Sequence, residues 1–240
     1  MLEKGPYRSA VVNPSISYIY SRTDIVIGKK MMYSGKNYSE ELINAFFDLT
    51  DKYYSSKKRT GIFFDIGANI GTTSIYVKKV LNPMFRVIGV EAGEQNYRVC
   101  KANCILNGVG DIDIVHVALG ENKGEGKYFY SSRNPGASRI VKSEAIALED
   151  VNIMRFDDLC TDMRISAIDI DYIWMDTEGF ESKIIAGAIG VLSSGNIPML
   201  QEFNPEAYDD WDRYKSNIGN CYTNFIDMDE FIRCVSKTAI

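Results

Sequence analysis

Apolar residues in this chain gather in short runs rather than long ones. Ile62, Phe63, Phe64 and Ile66, broken only by Asp65, form a run too short for a core helix; it reads as a buried parallel strand. Similar β-prone runs return at 86–90, 112–117, 151–156, 172–175 and 199–203. Between them the apolar positions recur every three or four residues. Leu42, Ile43, Phe46, Phe47 and Leu49 give one face to a helix over 39–54, with Ser39 as N-cap and Glu40 and Glu41 in its first turn. Further helices are predicted over 72–80, stopped by Asn82-Pro83, and over 96–106, ended by Asn107-Gly108. Another is predicted over 181–192, with Ile184, Ile185, Ala188 and Leu192 inward, and Asp157-Asp158-Leu159 opens a short one. Strands alternating with helices predict an α/β fold of the doubly wound, parallel-sheet type.

The two ends are less regular. Residues 1–37 carry short β-prone runs, the last at 25–27, broken at Asn13-Pro14 and Thr23-Asp24. They read as an N-terminal extension of two or three strands, a lid or an edge addition, before a main domain over 38–240. Residues 127–130 form a short β run. The stretches 131–138, with Asn134-Pro135-Gly136, and 143–150 read as mobile loops with a part in substrate contact. Residues 206–240 are aromatic-rich and are expected to complete the sheet with one or two antiparallel strands.

Composition narrows the function classes. The chain has 240 residues, 45% of them hydrophobic and 25% charged, with a formal net charge of −5. That suits a globular domain with a full core and gives no basic footprint for nucleic acid. No apolar run approaches a membrane span and no signal-peptide core opens the chain, so a cytoplasmic protein is expected. The five cysteines are scattered, and the lone histidine, His116, lies on an apolar strand with no carboxylate partner implied. Free buried thiols and a structural histidine are expected rather than a zinc site.

The chemistry gathers at predicted strand ends. After the 62–66 strand come Gly67, Asn69 and Gly71. Gly67 lets the backbone turn sharply and lets a ligand approach main-chain atoms, and Gly71 keeps the next helix close to the sheet. The spacing is Asp-x-Gly-x-Asn-x-Gly, not the G-x-G-x-x-G of dinucleotide sites, which disfavours an NAD oxidoreductase. Asp65 before the first glycine would repel a pyrophosphate and suits a cationic ligand such as S-adenosylmethionine (SAM). Glu91 ends the next strand twenty residues after Gly71, the distance at which doubly wound folds place an acid on the ribose hydroxyls. Asp176 ends the 172–175 strand on the same rim, with Glu178 and Glu181 three apart and Glu202 at the end of the last strand. Glu178 and Glu181 would also offset the dipole of the helix they open.

The segments Phe64-Asp65-Ile66-Gly67-Ala68-Asn69-Ile70-Gly71, Val90-Glu91, Val117-Ala118-Leu119-Gly120, Arg155-Phe156-Asp157-Asp158-Leu159, Ile173 to Glu181 and Gln201-Glu202 come in an order that resembles the FkbM-type family of SAM-dependent methyltransferases. Ala92 stands where that family often has proline, and Trp174 where it often has lysine. The resemblance implies a Rossmann-like class I methyltransferase fold, a doubly wound, mostly parallel seven-stranded sheet with helices on both faces. It implies that Asp65, Gly67, Asn69 and Gly71 line the methionine end of SAM, that Glu91 holds the ribose, and that Ala118 lies beside the adenine. Asp176 would face the sulfonium and methyl.

Methyl transfer to an alcohol needs the acceptor's proton removed. Asp176 is the first candidate for a base, with Glu178 and Glu202 next. The same carboxylates could instead hold Mg²⁺ against the acceptor hydroxyl, and the residues leave the two open. The acceptor implied is a small molecule or a glycan, with a hydroxyl on a sugar or secondary metabolite preferred. An RNA ribose methyltransferase and a non-catalytic SAM-binding module are the alternatives.

Overall fold

The structure, a computed structural model, describes residues 6–12, 15–53, 60–131, 134, 138–141 and 148–228. It opens with an antiparallel hairpin, β1 (Tyr7–Val12) and β2 (Ile16–Ser21), followed by α1 (Ile27–Ser34) and α2 (Glu40–Tyr53). Next come β3 (Ile62–Ile66), α3 (Thr72–Tyr76) with a wider π turn over Val77–Leu81, β4 (Arg86–Glu91), α4 (Glu94–Leu106) and β5 (Asp113–His116). Four strands follow: β6 (Ala118–Leu119), β7 (Gly124–Phe129), β8 (Arg139–Val141) and β9 (Leu148–Met154). Then come α5 (Phe156–Asp162), β10 (Ile170–Met175), α6 (Glu181–Ala186), α7 (Ile189–Gly195), β11 (Met199–Gln201) and α8 (Trp211–Cys221).

The central sheet has five parallel strands in the order β11-β10-β3-β4-β5. Every residue of β3 and β10 is buried, which is why both read as apolar runs, each broken by a single aspartate, Asp65 and Asp171. Two cores cover its faces. Phe47, Phe63, Phe85 and Tyr172 pack together on one, and Phe64, Ile88, Phe156 and Ile173 lie on the other. From β3 the chain winds one way to β4 and β5, and β10 and β11 lie on the other side. The carboxyl ends of β3 and β10 therefore flank the crevice where such sheets bind ligands.

The described residues give five strands in this sheet, where the resemblance implied seven. A second, mixed sheet, in the order β6-β9-β7-β8, extends from its β5 side. Residues 206–228 contain no strand. Trp211, Tyr214 and Ile218 stand three and four apart and share a helical face, and the Asp210 carboxylate caps α8 by accepting from the Arg213 N–H at 2.9 Å. β-prone aromatics here serve a helix, because tertiary packing overrides propensity. Residues 229–240 and Cys234 lie outside the described residues, as do most of 131–138 and 143–147.

Other expectations are adjusted in detail. The β-prone 25–27 run instead leads into α1, because Asp24 accepts from the N–H groups of Val26, Ile27 and Gly28 and opens a helix. Ser39 precedes α2 but has φ +60°, and the Asn37 N–H donates to Glu40. The 181–192 helix is two helices. At Gly187 a Cβ would lie 2.0 Å from the Gly120 carbonyl oxygen, and Asp157 caps the second helix through the N–H groups of Gly190 and Val191. Cys100, Cys104 and Cys160 are buried free thiols. Among the described residues no helix is long and apolar enough to cross a membrane.

Candidate active site

One cleft lies over the carboxyl ends of β3, β4 and β10. Its floor includes Gly67, Ala68 and Asn69; Glu91, Val117, Ala118 and Leu119 line one end, and Asp176, Glu178 and Tyr38 line the other. The glycine turn is held by geometry rather than by side chains. Gly67 has φ +87°, and a Cβ there would sit 1.9 Å from the Asp176 carbonyl oxygen. Gly71 has φ +88° and lies outside the cleft; a Cβ there would come 2.9 Å from Cys100 Sγ of α4. Between them Asn69 takes φ +50°, which its short amide side chain tolerates.

Asp65 does not line the cleft, contrary to the ligand-lining place implied for it. It is buried, and one carboxylate oxygen accepts from both the N–H and the hydroxyl of Ser74. Burial is the larger influence and pushes its pKa up to about 6, against those two donors. Asp65 thus ties the start of the following helix to the strand and acts on the cleft from beneath.

Glu91 does line the cleft and is held from several sides. Oε2 accepts the Asn69 N–H at 2.8 Å; Oε1 accepts the Gly93 N–H at 2.8 Å and the Tyr128 hydroxyl at 3.2 Å. Burial raises its pKa, and these donors oppose the rise. Tyr128 comes from β7, so the second sheet closes over this end with Ser138, Arg139 and Asn134. Two amide oxygens in the cleft wall, Asn69 Oδ1 and Asn134 Oδ1, are buried and accept no hydrogen bond from the described residues.

The other end is acidic. Asp176 keeps open surface toward the cleft but is crowded by protein elsewhere. Desolvation first, then the Glu202, Glu178 and Glu181 charges, push its pKa up to about 7. Glu178 has φ +55° and is likewise pushed to about 7 by desolvation, then Glu202 and Glu181, with Arg139 opposing. Glu202 stands beside the cleft rather than in its wall and accepts the Glu178 backbone N–H. Glu181 is fully buried and braces the 176–180 loop: its Oε1 accepts the Thr177 N–H and hydroxyl and the Gly179 N–H. None of Asp176, Glu178 and Glu202 is ion-paired among the described residues.

His116 departs from expectation, since carboxylates do face it. Its Nδ1 lies 3.2 Å from Glu94 and its Nε2 lies 3.9 Å from Glu149, while the ring stacks on Tyr97. Among the described residues, Glu94, His116 and Glu149 are the one group spaced closely enough to share a metal ion. Protein contacts already engage it: Arg98 on Glu94, the Glu94 N–H on Glu149, and the Ala92 carbonyl against His116 Nε2. Asp176, Glu178 and Glu202 do not form such a group.

A family model described as the methyltransferase FkbM domain matches residues 65–235. The chain belongs to this FkbM methyltransferase family. No curated protein matches it significantly. Among solved structures, the O-methyltransferase from Bacillus cereus in complex with SAH (S-adenosylhomocysteine) is similar at 11% identity and a TM-score of 0.38, over 75% of this chain and 77% of that one. A Pyrococcus horikoshii protein, classed only provisionally as a transferase, is similar at 18% identity and a TM-score of 0.32, over 47% of this chain. This chain spans 37% of that protein's length.

The FkbM match begins at Asp65, yet the cleft also draws Val26, Ile27, Tyr38 and Ser39 from before it. Sequence reasoning missed these residues, and no motif marks them. Asn96 and Tyr128 were missed too, because a side chain on Glu91 leaves no local pattern. Trp174, where the FkbM family often has lysine, lies 4% exposed against Phe46 and forms part of the cleft floor.

Proposed function

We propose that the chain is a SAM-dependent O-methyltransferase whose acceptor is a hydroxyl on a sugar, glycan or secondary metabolite. The observation that carries the cofactor reading is the pair of unpartnered amide oxygens, Asn69 Oδ1 and Asn134 Oδ1, in one cleft with the fixed Glu91 carboxylate. Acceptor oxygens at three places suit a ligand with several donors, which the ammonium, ribose hydroxyls and adenine amine of SAM provide. Membership of a methyltransferase family supports the same reading.

The residues take these roles. The bare backbone at Gly67 and the Asn69 amide receive the amino-acid end. Glu91 accepts from the ribose hydroxyls, its remaining lone pairs aimed by Asn69 and Gly93. Val117, Ala118 and Leu119 flank the adenine. When bound, SAM supplies an electrophilic methyl on a cationic sulfur. Asp176 accepts the proton of the acceptor hydroxyl, and a pKa of about 7 suits a base working near neutral pH. Desolvation first, then the charges of Glu202 and Glu178, hold that pKa up. Mg²⁺ enters no step of this reading.

Calorimetry with SAM and SAH tests the cofactor, and transfer of a labelled methyl to a panel of sugars and hydroxylated metabolites tests the reaction. Asp176→Ala should abolish transfer while leaving SAH binding measurable. A folded chain that gives no heat with either ligand would overturn the reading.

A further inference from the structure

The hairpin and the loop before α2 are tied to the glycine turn at two buried points. Tyr18, fully buried in β2, donates from its hydroxyl to Asn37 Oδ1 at 2.7 Å and to the Thr72 carbonyl at 3.2 Å. Asn37, 4% exposed, donates to the same carbonyl at 3.3 Å and to the Tyr38 carbonyl at 2.9 Å. Asn103 of α4, also fully buried, accepts the Ile19 N–H at 2.7 Å and donates to the carbonyls of Ile19 and Ile70. Ile70 and Thr72 bracket Gly71, so both ties end on the turn that floors the cleft.

The next two residues after Asn37 are Tyr38 and Ser39, and both line the cleft. The Tyr38 phenol stands in the field of Asp176 and Glu178. Loosening Asn37 would therefore free the wall segment and release one constraint on the floor.

We propose that the segment from Ile16 through Ser39 is an integral wall of the cofactor and acceptor site, and that Asn37 is the positioning residue coupling it to the glycine turn. The inference rests on the SAM reading but makes a separate claim. Buried polar nodes with every group bonded cost little while intact and much when one partner is removed. A node of this kind specifies one arrangement of wall and floor, as a merely apolar contact would not.

The test compares SAH affinity with stability. Asn37→Ala should weaken SAH binding by about tenfold, since small misplacements of positioning groups act on this scale. Tyr18→Phe, which removes only the donor hydroxyl, should act in the same direction and to a lesser degree. It keeps the test available should Asn37→Ala fail to fold. Leu192→Ala, buried on α7 away from the cleft, is the control: it should lower the thermal midpoint and leave SAH affinity within about twofold of wild type. Wild-type SAH affinity in Asn37→Ala or Tyr18→Phe overturns the inference, as does an equal loss in Leu192→Ala. Failure of the wild-type chain to bind SAH would instead sink the cofactor reading.

Discussion

Gly67 and Asp176 touch through their backbones: a side chain at Gly67 would begin 1.9 Å from the Asp176 carbonyl oxygen. The Asp176 N–H in turn donates to the Ile66 carbonyl at 3.0 Å. The turn after β3 and the acid after β10 are thus tied together, and the Asp176 carboxylate, the proposed base, is placed by main chain rather than by its own side-chain contacts. Gly67→Ala meets both a positive φ and a backbone clash, so it should destabilise the fold by more than about 2 kcal/mol and abolish SAH binding. Thermal denaturation with calorimetry checks this; near wild-type values in both would show that the turn can relax.

Glu91 gives a subtler test. Both its oxygens accept backbone N–H groups, from Asn69 and Gly93. Glu91→Gln keeps the shape but turns one acceptor into a donor facing an N–H. The expected cost is roughly 1–3 kcal/mol of stability, with weaker SAH binding in parallel. Glu91→Ala leaves the Asn69 and Gly93 N–H groups and the Tyr128 hydroxyl without their acceptor, so it should cost at least as much stability as Glu91→Gln and lose SAH affinity as well. Equal SAH affinity in all three proteins would remove Glu91 from the ribose role.

Much of this site could be read from local sequence, and the reason is topological. Asp65, Glu91 and Asp176 each end an apolar run, and parallel strands put their carboxyl ends on one rim whatever their separation in the chain. Division of labour among the acids is not local. Whether Asp65 faces a ligand or Ser74 depends on the turn between them, and Glu181 braces a loop only because Glu178 and Gly179 take left-handed conformations. The wall residue Tyr38 is placed by its neighbour Asn37, which Tyr18 and Thr72 hold across separations no periodicity records. Over 211–221 the β-prone Trp211 and Tyr214 point to a strand, while Asp210 capping and burial of Tyr214 and Ile218 on one face decide for a helix.

Asp176 links function to stability. Its folded pKa, about 7, lies above the value of a free aspartate, so the folded chain holds its proton more tightly than the unfolded chain does. The associated stability is fully present below the unfolded pKa and is lost as pH rises through about 7. Asp176→Asn removes the charge that burial and Glu202 oppose. It should therefore raise the thermal midpoint at pH 8, with the gain shrinking toward pH 5, while abolishing methyl transfer. A midpoint unchanged or lowered at pH 8 would show that the acidic end is already compensated in the free protein.

The same field should sort the two forms of the cofactor. SAM and SAH differ at the sulfur, cationic in one and neutral in the other, so the rim carboxylates favour SAM only while they are ionised. At pH 8 Asp176 and Glu178 are largely ionised, and SAM should bind more tightly than SAH. Each unit by which the bound sulfonium lowers the Asp176 pKa adds about tenfold to that preference. Below pH 7 both carboxylates take up protons, so the ratio of affinities should fall toward one by pH 6. Asp176→Asn should flatten the dependence, leaving only the part due to Glu178 and Glu202. Calorimetric titration of both ligands at pH 6 and pH 8 measures the ratio directly, and a ratio independent of pH would place the sulfur away from Asp176.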